Sequence, residues 1–242
     1  MSKTISSCVL LTSLLFTSFN ANAFRLEPML AEFTPTGSSA TKVFRVENES
    51  NEKVAVKLKM TTRVIDENGK EENVDSSDFK IYPEQVSLDP SDSRAIRVVY
   101  IGKKQIDMEQ NYRLFASQLP VSFKNEKPKT GVKFLYQFVA SVYVTSDKYS
   151  PKVEVESFER IDKNTAKISL VNKGQRHVLL KGVKVELFDG NNKTFRVGPE
   201  NSEDWDSINI LSGSRRIVKV KTDKDFDLAK NPAKVVIENE IR

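Results

Sequence analysis

The sequence is poor in the residues that most site chemistry needs. Its 242 residues include one cysteine, Cys8, one histidine, His177, and one tryptophan, Trp205. A single cysteine excludes an internal disulfide framework. A structural zinc site takes about four Cys or His ligands, and the chain has no such set. A Ser–His–Asp or Cys–His triad would depend on His177 alone. Long hydrophobic runs are also missing. The longest candidate, residues 134–144, contains Gln137 and Ser141 and reaches only about half the roughly 20 residues a membrane span requires. No 12-residue stretch carries a 3.6-residue apolar period. No basic stripe interleaved with aromatics points to nucleic acid. These absences leave no expected catalytic residue, metal or cofactor.

What is present begins with an export pattern. Lys3 supplies a positive start, residues 8–19 are apolar with Ser and Thr interspersed, and Ala21-Asn22-Ala23 has the small-residue form of a cleavage site. Residues 1–23 therefore predict a secretory signal removed after Ala23, and Cys8 leaves with it. Small secreted eukaryotic domains rely on disulfides, so a cysteine-free exported chain predicts a bacterial periplasm, without stable membrane insertion. The formal charge of +5 becomes +4 once Lys3 is lost, with 37 basic against 33 acidic residues. Both signs are mixed along the chain, as on a solvated surface.

Period-two alternation dominates the rest. Residues 53–60 place Val54, Val56, Leu58 and Met60 on one face and Lys53, Lys57 and Lys59 on the other, the pattern of a half-buried strand. Further strand-like runs cover 41–47, 94–101, 112–119, 132–144, 152–158, 167–171, 178–188, 215–221 and 234–238. Asn68-Gly69 and Asp189-Gly190 are hairpin-turn signals. Many short strands with frequent turns predict an all-β fold of two tandem immunoglobulin-like β-sandwich domains. The polar stretch 146–151, closed by Pro151, divides them into residues 24–146 and 151–242. The acidic clusters at 203–206 and 223–227 lack the glycine and terminal glutamate of a calcium loop and read as solvated loops.

Residues 132–144 are the most unusual segment. Their even positions, Val132, Phe134, Tyr136, Phe138, Ala140, Val142 and Val144, are all apolar or aromatic, and the run exceeds the usual strand of about five or six residues. Such a run is either the best-buried strand of a sandwich or a strand with one side kept open for a partner. Proteins normally avoid long exposed apolar edges because these recruit other chains.

Residues 24–30 read as an opening strand, 43–48 as a second strand ending in an Asn before a turn, and 82–90 as a stretch where a proline precedes a strand and loop. Residues 94–98, and Tyr112-Arg113-Leu114 with Gln118-Leu119-Pro120, follow as the next two strands. Asn172-Lys173-Gly174, His177-Val178 and residues 211–216 lie in the second domain. In their order and spacing these stretches resemble a known family, the periplasmic pilus-assembly chaperones of the chaperone–usher pathway, and its archaic branch in particular.

The resemblance implies two immunoglobulin-like domains set at an angle, with a cleft between them. It implies a non-enzymatic protein that holds pilus or fimbrial subunits and delivers them to an outer-membrane usher, using no nucleotide. Such subunits lack their last strand, and the chaperone donates one, a case of strand addition. Val132, Phe134, Tyr136 and Phe138 then become the donor side chains, worth on the order of 6 to 12 kcal/mol if all four are fully buried. Well-known members anchor the subunit's terminal carboxylate with basic residues on the first and donor strands. Here those positions fall near Leu30 and Ala140, neither basic. The Tyr-Arg pair points instead to Arg113, with Arg97 and Lys133 as further candidates. Rival readings are a secreted two-domain adhesive or structural pilus component, and a secreted hydrolase, which would need a deep pocket with paired carboxylates. His177, beside Arg176, reads as structural.

Overall fold

The structure, a computed structural model, describes residues 24–121, 123, 134–188, 194–222 and 233–237. The first domain contains β1 (Phe24–Glu27), β2 (Leu30–Phe33), β3 (Thr41–Asn48), β4 (Val54–Ile65), β5 (Glu71–Asp75), β6 (Phe79–Tyr82), β7 (Gln85–Leu88), β8 (Ser93–Tyr100), β9 (Gln110–Gln118) and β10 (Gln137–Val144). One sheet has the order β1-β3-β8-β6; the other has β2-β10-β9-β4-β5, with β7 also paired to β4. The alternation seen in the sequence explains their stacking. Phe44, Val46, Ile96 and Val98 of one sheet face Val56, Leu58, Met60 and Leu114 of the other in a single core.

The second domain contains β11 (Val153–Arg160), β12 (Thr165–Asn172), β13 (Val178–Leu179), β14 (Val183–Phe188), β15 (Thr194–Val197), β16 (Asn209–Ile210), β17 (Arg215–Lys221) and β18 (Ala233–Ile237). Its own core gathers Ile168, Leu170, Val185, Leu187 and Val218 around Trp205, which is fully buried. Burying an indole leaves its N–H in need of an acceptor, and Trp205 Nε1 donates to the Val183 carbonyl at 2.8 Å. Both domains are all-β sandwiches.

The first strand is shared between the sheets. β1 pairs antiparallel with β3. Pro28 then ends that ladder, since it has no N–H to offer. The chain crosses over and β2 pairs parallel with β10, from Leu30 opposite Ser141 to Phe33 opposite Val144. The stretch that resembled one opening strand is thus two.

A repeat hidden in the sequence appears at the end of β3 and of β12. Asn48 Nδ2 donates to the carbonyls of Glu52, Leu88 and Asp89, and its Oδ1 accepts from Ser50 N–H and Oγ. Asn172 does the same work in the second domain, donating to the carbonyls of Arg176 and Ile210 and accepting from Lys152 and Gly174 N–H. Both side chains are fully buried.

Three sequence expectations differ from what is seen. β4 continues five residues beyond Met60. The run 178–188 breaks into β13 and β14, because Gly182 takes a positive φ of 75° that interrupts a strand. The run 132–144 enters the strand ladder only at Gln137; Val132 and Lys133 lie outside the described residues. The Asn68-Gly69 turn is present, with Gly69 at φ 93° and its N–H donating to the Asp66 carbonyl. The Asp189-Gly190 turn lies outside the described residues.

Candidate functional site

β10 has two different halves. Ala140, Val142 and Val144 point inward and are fully buried. Tyr136 and Phe138 continue the same face but only rim the core; the Phe138 ring meets Phe24 edge-on, centroids 4.9 Å apart. Phe134 is 71% exposed and Leu135 47%. Three of the four predicted donor side chains therefore lie on one face, increasingly uncovered toward the start of the strand, while Val132 is outside the described residues.

The edge of the strand opens over the same stretch. Gln118 N–H donates to the Tyr136 carbonyl, whereas Ser141 N–H donates to Met29 O. In an antiparallel pair, alternate residues turn their backbone groups to opposite sides. Even positions of β10 therefore bond β9, and odd positions face outward. β2 covers this outer side from Ser141 onward. Among the described residues no strand covers it at Leu135, Gln137 and Val139, so their backbone groups face away from the sheet.

Where β2 takes over, a cationic cluster begins. Arg113 stands opposite Ser141 on one side and Thr61 on the other, on the outer face of the sheet. Tyr112, one residue earlier, points into the core and donates to Asp78 Oδ2 at 2.8 Å; burial, reinforced by that carboxylate, raises its phenol above the usual range. Arg113 holds Glu71 as a fork, Nε to Oε1 at 2.8 Å and Nη2 to Oε2 at 2.7 Å, and its Nη1 donates to Ser141 Oγ at 2.6 Å. Arg63 shares the same carboxylate, Nε to Oε2 at 2.8 Å, and reaches Tyr143 OH with Nη1. Two guanidinium groups thus face one carboxylate in a half-buried setting. Arg97 does not join them. It lies exposed on β8 in the opposite sheet, and Lys133 lies outside the described residues. Leu30 and Ala140 occupy the level of the same junction, one exposed and one buried.

Sequence reasoning missed Arg63 and Glu71. Neither has a local signal: Arg63 lies past the point where β4 stops alternating, and Glu71 is 42 positions from Arg113.

Burial pushes the Glu71 carboxyl upward, but the hydrogen bonds and charges of Arg113 and Arg63 outweigh it and hold the group at about 2, against an ordinary 4.5. A depressed carboxylate contributes stability above its unfolded pKa and loses it as pH falls through the folded one. The wild type is therefore expected to lose its stability margin over Glu71→Gln between about pH 4.5 and 2. Denaturant melts of both proteins at pH 7, 4 and 2.5 measure this; a margin unchanged across that window would contradict it.

The cluster extends into the second domain. Tyr143 OH accepts from Asn209 Nδ2 at 3.0 Å, and its ring stacks on His177 at 3.9 Å. His177 Nδ1 lies 2.7 Å from Glu109 Oε1, which also accepts the His177 N–H. The lone histidine is a joint between domains. Two cavities lie beside this surface. One of about 400 Å³ has a single carboxylate, Asp75, paired with Lys59. The other, of about 230 Å³, is bordered by two carboxylates, Glu71 and Asp204, of which Glu71 is forked by Arg113 and held well below the usual carboxylate range. Among the described residues no group of three or more His, Cys, Asp or Glu is placed to hold a metal, and no helix is long and apolar enough to cross a membrane.

Residues 32–143 match the family model described as pili and flagellar-assembly chaperone, PapD N-terminal domain. No curated protein matches the sequence. Among solved structures, the chain is similar to the class 5 fimbriae chaperone CfaA (TM-score 0.58, 14% identity, covering 90% of this chain and 100% of that one). It is similar to a chain of the CsuC–CsuE chaperone–tip adhesion subunit pre-assembly complex from archaic chaperone–usher Csu pili of Acinetobacter baumannii (0.53, 13%, 81% and 89%). It is also similar to the E. coli chaperone DraB (0.53, 16%, 81% and 83%). At these identities the structural likeness speaks for the two-domain fold.

Proposed function

We propose that this chain, whose residues 32–143 match the N-terminal domain of the pilus-assembly chaperones, is a chaperone of that family and captures unfinished pilus subunits by lending them the open half of β10. The family is periplasmic, which suits an export signal ending at Ala23 and a division of the mature chain into 24–146 and 151–242. The partners are a subunit that lacks its last strand and the usher that receives it. The reading as an adhesive or structural pilus component does not fit this family.

One observation carries the mechanism. The uncovered backbone groups of Leu135, Gln137 and Val139 coincide with the half-exposed aromatic face of Phe134, Tyr136 and Phe138. A strand added there gains main-chain hydrogen bonds, and the aromatics enter its groove. If the added strand runs parallel to β10, it lies ahead of β2 on the same line. Its C-terminus then meets Met29 and Ser141, beside the Arg113 fork. A carboxylate leaving water requires such charged donors.

The structure also lowers the energy expected from the side chains. Tyr136 and Phe138 are already partly buried against the core, so only Phe134 has nearly its full surface to give. With about 1.5 to 3 kcal/mol from Phe134 and about half that from each of the others, the three together contribute about 3 to 6 kcal/mol, at or below the lower end of the 6 to 12 kcal/mol expected of four residues.

Changing Phe134 and Tyr136 together to Ser tests the reading. Subunit co-purified from periplasm is expected to fall by roughly two orders of magnitude, while the thermal melt of the free protein changes little, because neither ring is in the sealed core. Unimpaired capture by a folded variant would remove β10 from the mechanism.

A further inference from the structure

The free protein pairs the Arg113 fork with a carboxylate of its own, Glu71, and the hairpin that carries Glu71 reaches the second domain. β4 and β5 extend beyond the sandwich to a turn at Asp66–Lys70. There Ile217 N–H donates to the Glu67 carbonyl at 2.7 Å and Arg216 Nη1 to the Asp66 carbonyl at 3.3 Å. Gly69 is favoured by its positive φ of 93°, and the Arg216 guanidinium packs against it where a Cβ would stand. With its tip docked on β17, the hairpin's β5 arm carries Glu71 to Arg63 and Arg113.

Behind Glu71 there is room. A cavity of about 230 Å³ lies between the hairpin and the second domain, bordered by Arg63, Glu71, Asp204, Asn209 and Arg216. The Arg216 Nε–H is buried and has no hydrogen-bond partner among the described residues. A buried unpaired donor is costly, and here it borders a space that a neighbouring carboxylate can enter.

We propose that Glu71 is a resident carboxylate, holding the Arg113 fork until the terminal carboxylate of a captured strand takes it, whereupon Glu71 turns into the cavity toward Arg216. This rests on the strand-capture reading above. The arrangement keeps one buried guanidinium, Arg63, and one partly buried, Arg113, paired in the free protein, where an uncompensated charge would be destabilising. It also imposes selection. An incoming chain end must displace a charged, bidentate partner, which a neutral amide does not match. Apparent affinity is reduced by the fraction of molecules in which the fork is occupied.

The mature chain and Glu71→Gln are titrated with propionate while the Arg113 Nε–H resonance is followed by NMR. In parallel, both are titrated with a fluorescent peptide of alternating valine and threonine ending in either a free carboxylate or an amide. In Glu71→Gln, propionate is expected to act at about tenfold lower concentration, and the acid peptide to bind about tenfold tighter with the amide peptide unchanged. Propionate acting equally on both proteins overturns the assignment, whatever the peptides do. If propionate behaves as expected but neither peptide binds, the resident carboxylate stands and strand capture is what fails. Should Glu71→Gln not fold, Arg216→Gln decides. Removing the second seat must weaken the acid peptide and spare the amide, and an equal loss on both overturns the proposal.

Discussion

Proline at position 137 is expected to abolish subunit capture while leaving the first domain folded. Gln137 is an odd position of β10, so its N–H faces the uncovered side while its neighbours' groups bond β9. Proline is tolerated on an edge strand when the missing N–H faces solvent. Gln137→Pro therefore spares the ladder that holds β10 in its sheet. It removes a donor that the added strand needs and puts a ring in that strand's path. A lost bond together with an acceptor left unsatisfied costs about 2 to 4 kcal/mol, or roughly two orders of magnitude in affinity. Phe138→Pro is the control. Its N–H faces β9, so the melt as well as the capture should suffer. Pull-down of subunit together with thermal melts separates the cases, and normal capture by Gln137→Pro would show that the open edge is not where the partner pairs.

Asn48→Ala is expected to be the most damaging single change in the first domain away from its apolar core. The side chain satisfies three carbonyls and caps the following turn from a fully buried position. Its removal leaves those groups without partners, costing about 3 kcal/mol or more out of the 5 to 15 typical of a domain. Asn48→Asp should be no better at neutral pH, since it points a carboxylate at three carbonyl oxygens. Denaturant midpoints for both variants check this. A loss under about 1 kcal/mol for either would mean that water replaces the amide.

The legible parts of the fold are those where burial follows a local period. Val54, Val56, Leu58 and Met60 announced the core side of β4, and β17 appears over the residues its alternation marked, Arg215–Lys221. Beyond Met60 the rule inverts. Thr61 and Arg63 are buried while Val64 is 60% exposed, because side chains from other strands cover the outer side here: Thr61 meets Asn73, and Arg63 meets Glu71 and Tyr143. No window of residues contains that information. β5 was not legible for the same reason: Glu71–Asp75 is mostly exposed and polar, held by its pairing with β4. Arg113 was legible only through the Tyr-Arg pattern. Its partners come from other strands, and the histidine read as structural became intelligible only with Glu109 and Tyr143 around it.

The junction of β2 with β10 gives the protein a ruler. Because β2 occupies the outer side of β10 from Ser141 onward, a strand added there as proposed can run no further along β10 than Val139. The grip therefore has a fixed end on that side. On the proposed reading, a competing segment that fills more of the partner's groove than this stretch of β10 can would displace it. Shortening β2 would lengthen the grip and slow the release.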